Sequence, residues 1–232
     1  MPRIRAITLD LDDTLWPSAP TIERAEERAQ AWLTENAPAV AAQWPVGALR
    51  ELRLSIYNAH PEWRHDYLRI RRLSMHTAFE QAGQTGGQAS ALIERVLDVF
   101  MTARNEVELF PDVSASLTRL SQRYALASLT NGNADVARIG LSHHFKAIIS
   151  AHAHGTAKPA PDLFHIACRE LNCAPEEVVH VGDDIDLDVR GARSAGLHAV
   201  WMNRAAATWA GDDAPHTVTN LSELETWLTA NA

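Results

Sequence analysis

The sequence predicts an α/β protein, a doubly wound parallel sheet interrupted after its first strand by a long all-helical segment. Three observations carry this expectation. Short apolar runs of strand type recur at 4–9, 125–130, 145–150, 178–181 and 198–202, with helical patterns between the later ones. The runs at 4–9, 125–130 and 178–181 each end in polar residues, as do strands whose C-terminal ends line the ligand crevice of an open sheet. No strand signal appears between Trp16 and Glu106. Residues 1–16 and 106–232 are therefore expected to form the α/β core, and 17–105 an inserted helical domain.

Taken in order, the first run leads into Asp10-Leu11-Asp12-Asp13-Thr14-Leu15, and Pro17 and Pro20 mark the exit from it. Ala25, Ala29, Trp32 and Leu33 then repeat at helical spacing, with Thr21 as a candidate N-cap and Glu23, Glu26 and Glu27 near the positive end. Further helices are expected at 46–58, 62–82 and 88–104, bounded by Pro45, Pro61 and the turn from Gly83 to Gly87. The α/β rhythm resumes with a helix from Pro111-Asp112 to Gln122, the strand 125–130, and a short helix at 134–139 ending at Gly140. A strand at 145–150, a loop at 151–157 and a helix at 161–171 follow. After the strand at 178–181 come a helix at 188–195 stopped by Gly196, the strand 198–202, and a weak strand near 216–219. The tail holds a helix from Ser222, capped through its spacing to Glu225.

A chain of 232 residues with 46% hydrophobic content is long enough for one large α/β domain or a core with a smaller insert. The net charge of −8 argues against a non-specific nucleic-acid binder, which needs a basic face. Residues 17–104 carry ten basic and ten acidic side chains, so the whole negative excess lies in the rest of the chain. Seven of its acids stand in two Asp clusters, which points to a cation requirement there. No apolar run approaches the roughly 20 residues of a membrane span, and Met1-Pro2-Arg3-Ile4 has no signal-peptide pattern, so a cytoplasmic protein is expected. Cys168 and Cys173 are read as buried reduced thiols.

In an extended chain residues two apart project to one side, so Asp10 and Asp12 are expected to face one point while Leu11 turns into packing. Two such carboxylates repel unless a cation or a shared proton sits between them, and both are expected here. Thr130-Asn131-Gly132, Lys158-Pro159 and Gly182-Asp183-Asp184-Ile185-Asp186-Leu187-Asp188 are expected to converge on the same edge. Asp10 and Asp183 with retained waters would suit Mg²⁺, which prefers a few hard oxygen ligands. The histidine pairs His143-His144 and His152/His154 lack the third ligand spacing of a zinc site, although a substrate contact for His152 or His154 stays open. Asp184 and Asp186 read as helix-start acids, and Asp188 as a partner for Lys158 or for a metal-bound water. Trp16, Trp201 and Trp209 could be core, a stacking surface or a partner contact.

Those four segments, in that order, resemble the four ordered motifs of the haloacid dehalogenase superfamily, and the resemblance spans the full length. It implies a Rossmann-like core with a helical cap domain, and an activity of Mg²⁺-dependent phosphomonoester hydrolysis through a phosphoaspartate. It further implies Asp10 as nucleophile and Asp12 as general acid/base, with Thr130 and Lys158 binding phosphate and Asn131 and Gly132 lining the substrate. Asp10, Asp183 and the backbone carbonyl of Asp12 are the implied metal ligands. Dehalogenases proper in this superfamily lack the second Asp of the first motif, so Asp12 argues for the phosphatase branch. A closer similarity is to bacterial phosphatases acting on flavin mononucleotide (FMN) and on the phosphoribityl-aminouracil intermediate of riboflavin synthesis. It rests partly on His65-Asp66 and Arg69, Arg71 and Arg72, and adds His65, Asp66 and Arg71 as candidate substrate contacts. Alternatives are a phosphatase of sugar phosphates or nucleotides, a signalling receiver, and a non-catalytic phospho-ligand binding protein. The expected partner is a small phosphomonoester, with no nucleic acid and no membrane, for a monomer or homodimer.

Overall fold

A computed structural model describes residues 3–209 and 213–231; the Met1-Pro2 start read above lies outside them. The chain divides into two compact units, Met1–Pro17 with Glu108–Ala232, and Ser18–Val107. The first carries the sheet. Its strands are β1 (Ala6–Leu9), β2 (Ala125–Thr130), β3 (Ala147–Ser150), β4 (Val178–Gly182), β5 (His198–Met202) and β6 (His216–Val218). All neighbouring pairs are parallel, in the order β3-β2-β1-β4-β5-β6.

The chain thus winds outward from β1 in both directions, and the switch between β1 and β4 is where a crevice opens beyond the C-terminal strand ends. Register places the chemistry at that edge. Leu9 lies opposite both Ser128 and Val181, so Asp10, Thr130 and Asp183 leave their strands at nearly one level. The strands are apolar because both faces of a parallel sheet are covered. Leu163, Phe164, Ala167 and Leu171 of a helix at Pro161–Leu171 join Ala127, Leu129 and Ile149 in one buried cluster. Cys168 belongs to it and burial pushes its thiol up to about 11, whereas Cys173 is only half-buried.

Several boundaries differ from expectation for identifiable reasons. The last helix, Leu221–Ala230, is capped by Asn220, whose side chain accepts from the Glu223 N–H at 2.9 Å, rather than by Ser222. Residues 151–157 are not all loop: Ser150 caps a short helix, Ala151–His154, which ends at the left-handed Gly155. Expected as one helix from Asp188, the segment after β4 instead opens with a π-type turn, Ile185–Arg190, followed by Gly191–Ser194.

The second unit consists of α1 (Ser18–Asn36), α2 (Pro38–Gln43), α3 (Val46–Ala59), α4 (Tyr67–Gln81) and α5 (Gly86–Arg104). Leu33, Val40, Leu49, Met75, Phe79, Ile93, Val96 and Phe100 fill its core, each worth about 1.5–3 kcal/mol on burial. Because α1 starts at Ser18, Thr21 is buried within its first turn and is not the N-cap; Pro20 is tolerated there since first-turn N–H groups have no helical acceptor. The single helix expected at 62–82 is broken. A 3₁₀ turn, Pro61–Trp63, precedes α4, and Asp66 caps α4 by accepting from the Arg69 N–H at 2.9 Å. Ile70 is buried while Tyr67 is exposed.

Candidate active site

Asp10 follows the last residue of β1, and its N–H donates to the Val181 carbonyl at 2.9 Å, continuing the sheet one step. Its buried carboxylate accepts from Lys158 Nζ at 2.5 Å. Lys158 Nζ also donates to Asp188 Oδ1 at 2.5 Å, so the one ammonium links acids that are far apart in sequence. Asn131 fixes the lysine: its amide donates to the Lys158 carbonyl at 2.9 Å and accepts from the Lys158 N–H at 2.8 Å. Expected to line the substrate, Asn131 therefore spends its side chain on holding Lys158. Thr130 is buried, and its hydroxyl accepts from the Gly132 N–H at 2.9 Å, which orders the turn after β2.

Asp188 reaches the site because of the π-type turn. The N–H groups of Asp188 and Val189 both donate to the Asp184 carbonyl, at 3.0 and 3.2 Å, and this widened turn is associated with functional positions. Gly182 makes room, since a Cβ there would lie 2.2 Å from Asp188 Cγ. Asp184 caps the turn, accepting from the N–H groups of Asp186 and Leu187 at 2.8 Å, and Asp186 pairs with Arg190 on the surface, so both serve as turn-start acids.

Ligand oxygens of Asp10, Asp183 and Asp188 lie within 4.8 Å of one another. Asp12 accepts from the Trp16 indole N–H at 2.9 Å, where the backbone turns at the left-handed Asp13 (φ 57°) and the Asp13 N–H closes onto the Trp16 carbonyl. Trp16 is fully buried, hence core rather than rim. Trp201 is also buried and donates to the Asp183 carbonyl at 2.8 Å, while half-buried Trp209 meets it edge-on at 5.9 Å. His152 and His154 are exposed.

Two sets of partners carry no motif. His180 of β4 is buried, with Nε2 2.9 Å from Asp188 Oδ1 and Nδ1 2.8 Å from the Thr8 hydroxyl. Burial holds His180 below its ordinary range, so it is neutral near pH 7. An ionised carboxylate only accepts, so Nε2 carries the proton and the Thr8 hydroxyl donates to Nδ1. A lone Thr and a lone His at paired positions of otherwise apolar strands were the available signal. Arg204 donates from Nε to the Thr14 carbonyl at 2.9 Å and grips Asp112 with two bonds of 3.0 and 2.9 Å, tying down the loop after β1.

The charges do not balance. Burial pushes Asp10 well above the usual carboxylate range, helped by Asp188 and Asp183 and opposed by Lys158. Burial, then Asp188 and Asp13, push Asp183 up to about 7. Burial also works to raise Asp188, but Lys158 and His180 outweigh it and hold that carboxyl down. Asp10 and Asp188 in turn hold the Lys158 ammonium up against its own burial. Three clustered carboxylates thus stand with one ammonium, which bonds two of them, and each uncompensated like-charge contact costs about 4 kcal/mol at 4 Å in an effective dielectric near 20. A divalent cation fits: the donors are hard oxygens, and Asp10 and Asp183 are the acids whose ionised forms lack compensation.

His65, Asp66 and Arg71 belong to the helical unit. Besides Asp66 acting as a cap, His65 is half-buried and Arg71 lies over the Phe100 ring, paired with Glu26. Arg72 forms an exposed two-bond pair with Glu94.

A family model described as haloacid dehalogenase-like hydrolase matches residues 4–196. The chain belongs to that family of enzymes. Among hydrolases it resembles is the 5-amino-6-(5-phospho-D-ribitylamino)uracil phosphatase YigB of Escherichia coli K12, 34% identical over 86% of this chain and 84% of that one. A phosphoserine phosphatase of Thermus thermophilus is 39% identical over 54% of this chain and 53% of its own length. Among solved structures, a 2-haloacid dehalogenase from Pseudomonas syringae pv. Tomato DC3000 is 37% identical, with a TM-score of 0.93 over 99% of this chain and all of that one.

Proposed function

We propose that this hydrolase is a Mg²⁺-dependent phosphomonoesterase that transfers the phosphoryl group of a small metabolite through Asp10. The observation that carries the reading is the convergence of the Asp10, Asp183 and Asp188 carboxylates, with Lys158 donating to Asp10 and Asp188. Bound by Asp10 and Asp183, with the Asp12 carbonyl as the implied third ligand, the cation would cancel repulsion between carboxylate and phosphate and polarise a phosphoryl oxygen.

The remaining work falls to side chains. An Asp10 oxygen attacks phosphorus, the P–O ester bond breaks, and Asp12 gives its proton to the departing alkoxide. Lys158 and the Thr130 hydroxyl hold the equatorial oxygens, where charge is greatest as the phosphoryl group passes. Asp12 then takes a proton from water, which attacks phosphorus, releases inorganic phosphate and restores Asp10. Asp188 holds Lys158 in place, His180 and Thr8 hold Asp188, and Trp16 holds Asp12. We read residues 17–105 as the cap domain of such an enzyme, with the cytoplasm as its compartment. No helix among the described residues is long and apolar enough to cross a membrane.

For the substrate, the extensive match to YigB favours the phosphoribityl-aminouracil intermediate, with FMN next. A second reading, hydrolytic dehalogenation of a 2-haloacid by Asp10 attack at carbon, is favoured by the structure of that name at 37% identity. Asp12 and the uncompensated acids speak against it, since displacing halide requires neither. Parallel assays separate the two: phosphate release from 4-nitrophenyl phosphate and FMN, and halide release from 2-chloropropionate, each with Mg²⁺ or with EDTA. Phosphate release that EDTA abolishes is expected; halide release without phosphate release would reverse the assignment.

A further inference from the structure

Asp183 is held at its backbone and at its side chain by different residues. The Trp201 indole of β5 donates to its carbonyl at 2.8 Å, and the fully buried Thr14 hydroxyl donates to its carboxylate at 3.4 Å. The second bond is long. Bonds between a hydroxyl and an oxygen centre near 2.8 Å and weaken beyond that, so a displacement of roughly half an ångström at Thr14 would break it. Whatever fixes Thr14 therefore fixes the direction of the Asp183 carboxylate.

Arg204, in the segment that follows β5, does so. Its Nε donates to the Thr14 carbonyl at 2.9 Å, while its terminal nitrogens grip both oxygens of Asp112 at 3.0 and 2.9 Å. The guanidinium also lies over the Phe110 ring, 4.1 Å from its centre, and the Phe110 N–H donates to the Leu15 carbonyl at 3.0 Å. Asp112 is anchored in turn by the Leu221 N–H at 2.8 Å. The two charged side chains keep only 13% and 15% exposure, so their planar two-bond contact is a strut rather than a solvated surface pair. Arg119 makes the contrast: it is exposed, and its own two-bond pair with Glu225 joins one helix to another.

We infer that Arg204, braced by Asp112, is a positioning residue that sets the affinity for the divalent cation, acting through Thr14 on the Asp183 carboxylate. A ligating carboxylate binds a hard cation tightly when its own hydrogen bond has already oriented it. Lysine cannot replace Arg204, because it lacks the fork that reaches Asp112 and the Thr14 carbonyl together. The inference rests on the reading of Asp10 and Asp183 as cation ligands and adds what tunes them; it needs no phosphoryl transfer.

The test uses the full-length protein without substrate and measures Mn²⁺ uptake from the electron paramagnetic resonance signal of the free ion, with Mg²⁺ as competitor. Thr14→Val, Arg204→Met and Arg204→Lys should each raise the Mn²⁺ dissociation constant about tenfold or more, as loss of a partner behind a metal ligand does. Arg119→Met should leave it unchanged. Because Arg204 acts through Thr14, the double variant Thr14→Val with Arg204→Met should bind no worse than the weaker single variant. Losses that multiply would mean that Arg204 acts by another route and would overturn the proposal. Should Arg204→Met fail to fold, Arg204→Lys takes its place in the cycle. Wild-type affinity in Thr14→Val or in the Arg204 variant defeats the inference alone, whereas a wild-type protein that takes up no Mn²⁺ defeats the cation reading and the inference with it.

Discussion

At the strand ends of the sheet unit three carboxylates gather where Lys158 bonds two of them, whereas in the helical unit three guanidiniums, those of Arg50, Arg53 and Arg71, share Glu26. Both units gather charged groups, and they anchor them differently. In the sheet unit nearly every charged atom has an assigned neighbour: Lys158 is locked by Asn131, Asp188 by His180 and the Asp184 N–H, and Asp183 by Trp201 through its carbonyl. In the helical unit one carboxylate receives three arginines, and the geometry rests on long flexible stems. The difference teaches where precise chemistry is to be expected. Strand ends in register hold reacting groups to fixed positions, as a catalytic constellation requires, while a shared acid among helices ties together the elements around it.

Predictions that probe this contrast run from large effects to small. Asp10→Asn should abolish phosphate release, by about 10⁴-fold or more, as loss of a nucleophile does. Its melting temperature in cation-free buffer should be no lower than wild type, because the ionised Asp10 carboxylate is disfavoured there. A large loss of stability would mean that Asp10 mainly anchors Lys158. Gly182→Ala places a Cβ 2.2 Å from Asp188 Cγ and should cost about 1–3 kcal/mol in a denaturant melt, with turnover falling as Asp188 and Lys158 shift. A neutral result would show that the π-type turn gives way easily.

Acidity supplies the next test. In cation-free protein the folded state keeps protons on Asp10 and Asp183 that the unfolded chain releases near pH 4. The folded state then binds more protons, so stability should fall as pH rises from about 4 through about 7. Mg²⁺ should restore it above pH 7, by about 3 kcal/mol at a hundredfold excess over Kd. Thermal melts across pH with and without Mg²⁺ check this, and a profile indifferent to the ion would contradict the charge deficit. The smallest effect is Thr8→Val, which removes the donor to His180 Nδ1. It should cost about 1 kcal/mol and let the opposite imidazole tautomer appear in ¹⁵N spectra, with kcat reduced more than KM is altered.

How far the sequence foretold these features depends on whether their signal was local. Asp10, Thr130 and Asp183 stood out because polar residues closing apolar runs can be read one segment at a time, and the register of β1, β2 and β4 then brings them level. The bond from the Trp16 indole to Asp12 was not legible, because alternation applies to a strand and the chain has already turned by Asp13. Asp188 was legible as a partner for Lys158, but the π-type turn that carries it was not, since that turn depends on tertiary closure over Gly182. Partnerships such as His180 with Thr8, Arg204 with Asp112, and Glu26 with its arginines join residues on different elements, and no spacing rule marks them. Helix ends slipped wherever a neighbouring polar side chain captured the cap, as Asn220 does in place of Ser222.

The central claim, that Asp10 takes a phosphoryl group in a site built around a divalent cation, can be tested by stopping the reaction in mid-turnover. Acid quench with Mg²⁺ and substrate, followed by borohydride reduction and peptide mapping, should find the modified aspartate at Asp10, and nowhere when EDTA is present. Phosphate release with no acyl-phosphate at Asp10, or an adduct on another residue, would contradict it.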